Sequence, residues 1–128
     1  MGNRIGGLSV QMKRTDRAMS LWIRRKYGAC VQCGTTERLT AGHLITRNAK
    51  SVRFDERNVF CQCASCNFLH EHRPELFTSW FLLKYGQQAY ETLVADSKRI
   101  KKWTVGELME LEDGFNRLTA EMDGNERV

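Results

Sequence analysis

The chain has 128 residues, one domain's worth of polypeptide, and its 41% apolar and 27% charged residues exclude wholesale disorder. No apolar run approaches the ~20 residues of a membrane-spanning helix, so the chain is not read as an integral membrane protein. The net charge of +5 is unevenly placed: residues 1–73 hold 13 Lys/Arg against 5 Asp/Glu, residues 74–128 hold 7 against 10, and all five cysteines and three histidines lie in the basic part. A basic segment that carries the reactive residue types predicts a polyanionic partner, most simply nucleic acid, rather than a membrane or a small-molecule substrate.

Residues 1–14 carry three glycines and little apolar periodicity, and predict a flexible basic arm. They also lack the apolar stretch of a signal peptide, which predicts folding in a reducing cytoplasm. From Asp16 the pattern turns helical: Ala18, Met19, Trp22, Ile23 and Tyr27 fall on one stripe, Arg17, Arg24 and Arg25 lie outside it, and Gly28 ends it. Residues 29–37 have turn composition around Cys30-Val-Gln-Cys33-Gly. Two β-leaning segments, Leu39–Ile45 and Val52–Phe54, predict a hairpin. A short helix is predicted over Cys63–His72, another from Pro74 to the break at Gly86, and a third over Gln87–Asp96. After the basic connector Lys98–Lys102, Thr104 and Glu107 have capping-box spacing. Leu108, Leu111, Phe115, Leu118 and Met122 then repeat at 3-4-3-4, an amphipathic helix that packs on its own domain or serves as a homodimer seam.

In a reducing compartment, close-spaced cysteines are metal ligands sooner than disulfides. Cys30-x2-Cys33 and Cys63-x2-Cys66 each offer half of a tetrahedral thiolate site, which predicts structural Zn²⁺. Using Cys61 in place of Cys63 gives a spacing that fits less well. The order knuckle, hairpin, helix predicts an α+β fold with a zinc-stabilised treble-clef (ββα-metal) core and flanking N- and C-terminal helices. The expected organisation is an arm over 1–14, a core with its flanking helices over 15–96, and a C-terminal amphipathic helix over 97–128.

Cys-x2-Cys, a His ten residues on, an Asn fifteen later, and Asn-x4-Cys-x2-Cys-Asn resembles the HNH (here His-Asn-Asn) endonuclease motif. The segments Cys30-Val-Gln-Cys-Gly-Thr, Ala41-Gly-His-Leu-Ile-Thr-Arg, Val52-Arg-Phe-Asp-Glu-Arg-Asn-Val and Gln62-Cys-Ala-Ser-Cys-Asn more closely resemble the NinG/Rap family of lambdoid phage recombination proteins, over roughly residues 25–95. That resemblance implies a structure-specific, metal-dependent nuclease acting on branched DNA such as Holliday junctions, D-loops and forks, in the cytoplasm of a bacterial host. Its catalytic residues would be His43, Asn58 and Asn67.

The chemistry of these residues is consistent with that. Phosphodiester hydrolysis needs a base for water and a cation for the phosphate charge. Imidazole suits His43 to the base role. Asn58 suits an orienting role, tying the hairpin loop, and Asn67 suits an oxygen ligand for catalytic Mg²⁺ or Mn²⁺. Where many HNH enzymes have a metal-binding aspartate before the histidine, this chain has Gly42, as NinG/Rap-like sequences do. Glu71, His70 and Asp55 are candidates to make up the missing ligand, and Glu71 shares a helix face with Asn67. Arg47, Lys50, Arg53 and Arg57 crowd the hairpin as candidate contacts to the DNA backbone. Trp22, Trp80 and Trp103 are assigned to packing. Gly42 keeps a second reading open: a non-catalytic zinc module that binds branched DNA and recruits recombination enzymes.

Overall fold

A 21-residue helix, α1 (Gly7–Tyr27), opens the part of the chain that the computed structural model describes, residues 7–127. Its buried stripe of Ala18, Met19 and Ile23 is the expected one. The helix begins well before Asp16, however: residues 7–14, expected in a flexible arm, are its first turns, while residues 1–6 of that arm lie outside the described residues. The early turns are held by polar contacts with the C-terminal helix α5 (Val105–Arg127). The Gln11 amide Nε2 donates to Glu112 Oε1 at 2.8 Å, and Thr15 Oγ1 donates to the Leu108 carbonyl at 2.9 Å. Farther along, Arg25 meets Asp123 at 2.8 Å, so the two helices run in the same direction. Buried amide and hydroxyl groups leave no mark in an apolar periodicity, which is why this stretch read as unstructured.

Gly28, at φ +72°, closes α1, and the chain enters the cysteine knuckle. Strand β1 (Leu39–His43) follows, paired antiparallel with β2 (Val59–Cys63) in a register that sets Leu39 against Cys63 and His43 against Val59. The second strand was expected at Val52–Phe54. Those residues instead form a 3₁₀ turn (Lys50–Val52) and its exit, with Val52 and Phe54 buried in different clusters. All five residues of β2 are buried. Val59 and Cys61 point into a core built with Met19, Ile23, Leu108 and Phe115, whereas Phe60 points into a second core with Leu44, Phe77, Phe81 and Leu93.

Helix α2 (Ala64–His72) starts directly from β2, with Cys63 as its N-cap accepting the Cys66 N–H. Helix α3 (Pro74–Tyr85) has proline at its first position and ends at Gly86, φ +92°, before α4 (Gln87–Ser97). The capping box forms: the Glu107 N–H donates to Thr104 Oγ1 and the Thr104 N–H to Glu107 Oε1. The apolar stripe of α5 lies against α1, with Leu108 and Phe115 buried and Leu111 and Leu118 half-buried. The result is a mixed α+β fold, mostly helical, around a two-stranded sheet. No helix among the described residues is long and apolar enough to cross a membrane.

Candidate functional site

Two turns carry the sulfurs. The knuckle brings Cys30 and Cys33, and the β2–α2 junction brings Cys63 and Cys66, so that the four Sγ atoms lie within 4.8 Å of one another. Cys33 Sγ and Cys63 Sγ are 3.7 Å apart. Thiolates about 2.3 Å from a central ion at tetrahedral angles stand roughly 3.8 Å apart, so the four cysteines could hold a zinc ion. Burial opposes ionisation of Cys30, but backbone N–H groups of Cys63, Cys33 and Gln32 at its sulfur outweigh it and hold the thiol down at about 6. Burial, and then the neighbouring sulfurs, push Cys66 the other way. Four sulfurs this close cannot all ionise without a cation among them. Cys61 is fully buried in the α1–α5 core, outside this cluster.

An open cleft of about 740 Å³ lies between α1 and α2, against β1. It is lined by His43 from β1, by Asn67, His70 and Glu71 from α2, and by Asp16 and Arg17 from α1. The His43 ring donates from Nε2 to the Arg53 carbonyl at 2.9 Å. A carbonyl only accepts, so Nε2 carries the proton and Nδ1 keeps its lone pair. Burial lowers the His43 pKa to about 4, with the neighbouring Arg47 and Arg53 charges adding to it. Above pH 6.5 the ring is neutral in both folded and unfolded chains. As pH falls from 6.5 toward 4, the unfolded chain takes up a proton that the folded one refuses, so stability drops. Wild-type protein is expected to lose about 2 kcal/mol relative to His43→Asn by pH 5, read from urea midpoints. Parallel pH curves for the two proteins would contradict the buried, neutral ring.

Asn58 is fully buried and ties the β1–β2 loop into shape. Its Oδ1 accepts the Ile45 N–H at 2.7 Å, and its Nδ2 donates to the carbonyls of Ile45 and Val52 at 2.9 and 3.1 Å. It touches no cleft surface and acts by positioning the strand end that carries His43. Asn58→Ala strands buried peptide groups and is expected to cost about 3 kcal/mol in denaturant unfolding. A loss below about 1 kcal/mol would show that the loop holds itself.

Asn67 donates from Nδ2 to Thr40 Oγ1 at 3.2 Å, which leaves its Oδ1 available. Glu71 lines the same cleft and is exposed. His70 differs from its expected role: its Nε2 donates to the His43 carbonyl at 2.9 Å, and its Nδ1 is buried without a partner beside Phe77. Neither ring nitrogen is open to the cleft, so His70 buttresses β1. Asp55 is also elsewhere, bound to the Arg57 guanidinium and backbone. Gly42 has a steric cause, because a Cβ there would overlap the buried Gln62 amide on β2. Gly42→Ala is expected to cost about 1–3 kcal/mol as Gln62 is displaced from Gln32. Thermal melts of the variant at wild-type stability would refute that crowding.

The four arginine and lysine candidates separate. Arg53 is nearly buried and pairs bidentately with Asp16, its Nε 3.0 Å from Oδ1. Arg57 is shared between Asp55 and Asp96. These two are structural ties rather than open phosphate contacts. Arg47 is 58% exposed on the cleft wall, 3.6 Å from Asp16, and Lys50 is exposed. Sequence reasoning missed Asp16 and Arg17. Asp16 holds Arg53, whose carbonyl holds His43, and Arg17 is an exposed cation facing the cleft. Their only signal was two charged residues beside the apolar stripe of α1.

A family model described as Bacteriophage Lambda NinG protein matches residues 5–125. Curated relatives named Protein ninG include that of Enterobacteria phage H19B, 31% identical over 119 residues, covering 85% of this chain and 56% of the relative. That of Salmonella phage P22 is 31% identical over 104 residues (77% and 51%), and that of Escherichia phage lambda 31% over 109 residues (77% and 50%). The chain thus spans about half the length of the curated relatives it matches. No solved structure matches it.

Proposed function

The chain belongs to the NinG family of phage proteins, and from that premise we propose that it is a metal-dependent endonuclease that cleaves branched DNA during phage recombination in the host cytoplasm. The knuckle, hairpin and helix are read as a zinc-stapled treble clef of the ββα-metal (HNH-like) kind. The observation that carries the reading is His43: one ring nitrogen is spent on a backbone carbonyl, the other keeps its lone pair, and the ring lines a cleft shared with Asn67 and Glu71. In this reading Nδ1 takes the proton from a water whose oxygen attacks phosphorus, and a P–O bond to the leaving strand breaks. Asn67 Oδ1 and the Glu71 carboxylate are hard oxygen donors of the type Mg²⁺ or Mn²⁺ accepts alongside several waters. Bound there, such an ion would supply charge neutralisation at the phosphate and the leaving oxygen. Arg17 and Arg47 flank the cleft and hold the DNA backbone.

Gly42 favours the second reading, a zinc-dependent module that binds branched DNA and recruits other enzymes, since the aspartate of many HNH enzymes has no room beside Gln62. The deciding experiment incubates the chain with a labelled four-way junction, a fork and linear duplex, in Mg²⁺, Mn²⁺ or EDTA. Products from the branched substrates that vanish with EDTA support the nuclease. Retarded complexes with no cut strand in either ion support the module.

A further inference from the structure

Of the six phenylalanines, Phe54, Phe60, Phe77, Phe81 and Phe115 are each less than 10% exposed, whereas Phe68 is 61% exposed. Its ring lies against that of His72 one helical turn on, with centroids 4.4 Å apart. The two rings form a small aromatic face on α2, a helix with no fully buried residue. Phe68 follows Asn67, about 100° further around the helix, and stands three residues before Glu71, so this face adjoins the side of α2 that lines the cleft. A phenylalanine ring left largely in water and backed by a second ring offers a flat apolar surface to a planar partner.

We infer that Phe68, backed by His72, is a stacking platform at the lip of the cleft that takes an unpaired base at a DNA branch point. The inference rests on the proposed function and deepens it, by naming the element that tells branched DNA from duplex. The surroundings identify the occupant. Arg17 and Arg47 are exposed on the cleft walls, in a basic half of the chain, and suit the backbone on either side of a base. An aromatic face takes any base, because every base presents a π-face. Bases within intact duplex are already stacked, so a platform on the surface of α2 reaches only those that a branch leaves exposed.

The test uses zinc-loaded full chain without Mg²⁺, so that binding is read apart from cutting. A four-way junction carries 2-aminopurine at the branch, and linear duplex of the same sequence serves as control. Wild-type protein is expected to change the 2-aminopurine fluorescence on binding. Phe68→Ala is expected to lose that change and to bind the junction about tenfold more weakly, with duplex binding kept. Phe68→Trp is expected to retain both signals, which guards against a fold defect. Unchanged junction affinity in Phe68→Ala, an equal loss on junction and duplex, or self-association of the wild type abolished by the substitution would overturn the platform. A protein that gives these fluorescence results but never cuts in Mg²⁺ would sink the nuclease while leaving the platform standing.

Discussion

Withdrawing the zinc ion proposed for the four cysteines is expected to abolish the folded cleft. Helix α2 has no fully buried residue, and the His70 ring against Phe77 is a small packing contact. The helix is attached at its start by Cys63 and Cys66 and by the Ala64 N–H on the Arg38 carbonyl, and farther along by hydrogen bonds from Asn67 to Thr40 and from His70 to the His43 carbonyl. Zinc bound by four thiolates contributes roughly 10–16 kcal/mol, as much as or more than the ~5–15 kcal/mol that holds a whole domain folded. Cys66→Ser, or chelation, is therefore expected to free α2 and lower the melting temperature by tens of degrees. Circular dichroism melts with and without one equivalent of zinc would show it, and re-adding zinc should restore the wild-type transition. Zinc-free protein, verified by metal analysis, that melts like the loaded form would remove the staple from the account.

His43→Ala is expected to lower the cleavage rate by about 10²–10⁴-fold, the usual contribution of a positioned general base. Junction binding should stay near wild type, since the proposal gives the backbone contacts to Arg17 and Arg47 and the ring itself carries no charge at neutral pH. His43→Asn is the companion variant, because its smaller cavity beside the Arg53 carbonyl makes a fold defect easier to exclude. Either variant cutting at wild-type rate would show that another group takes the proton.

Much of this arrangement is legible in the amino-acid sequence. Paired cysteines, the capping box at Thr104, Pro74 at a helix start and the stripe of α5 each depend on short-range spacing, which a single sequence displays. What escaped notice depends on long-range partners. β2 is buried on both faces, so it lacks the alternation that marks a half-buried strand, and Val52–Phe54 mimicked one. The first turns of α1 are held by Gln11 and Thr15 reaching α5, polar contacts with no periodic signature. The candidate site divides in the same way. His43, Asn67 and Glu71 do line one cleft, as their motif and helical spacing led one to expect. Arg53 looks like a phosphate ligand in sequence because its carboxylate partner, Asp16, lies 37 residues away, and Arg57 adds to its near neighbour Asp55 a second carboxylate, Asp96, 39 residues away. Gly42 could be read only as a missing acid until Gln62 was found in the space.

Two ions doing separate work, one as a staple and one for chemistry, are the centre of the proposed mechanism. The most direct measurement is strand scission of a four-way junction by a preparation assayed at one zinc per chain throughout, with Mg²⁺ omitted and then supplied. The expected result is an intact, protein-bound junction before addition and discrete nicked products after it. A zinc-loaded, junction-bound chain that leaves every strand whole in Mg²⁺ would contradict it.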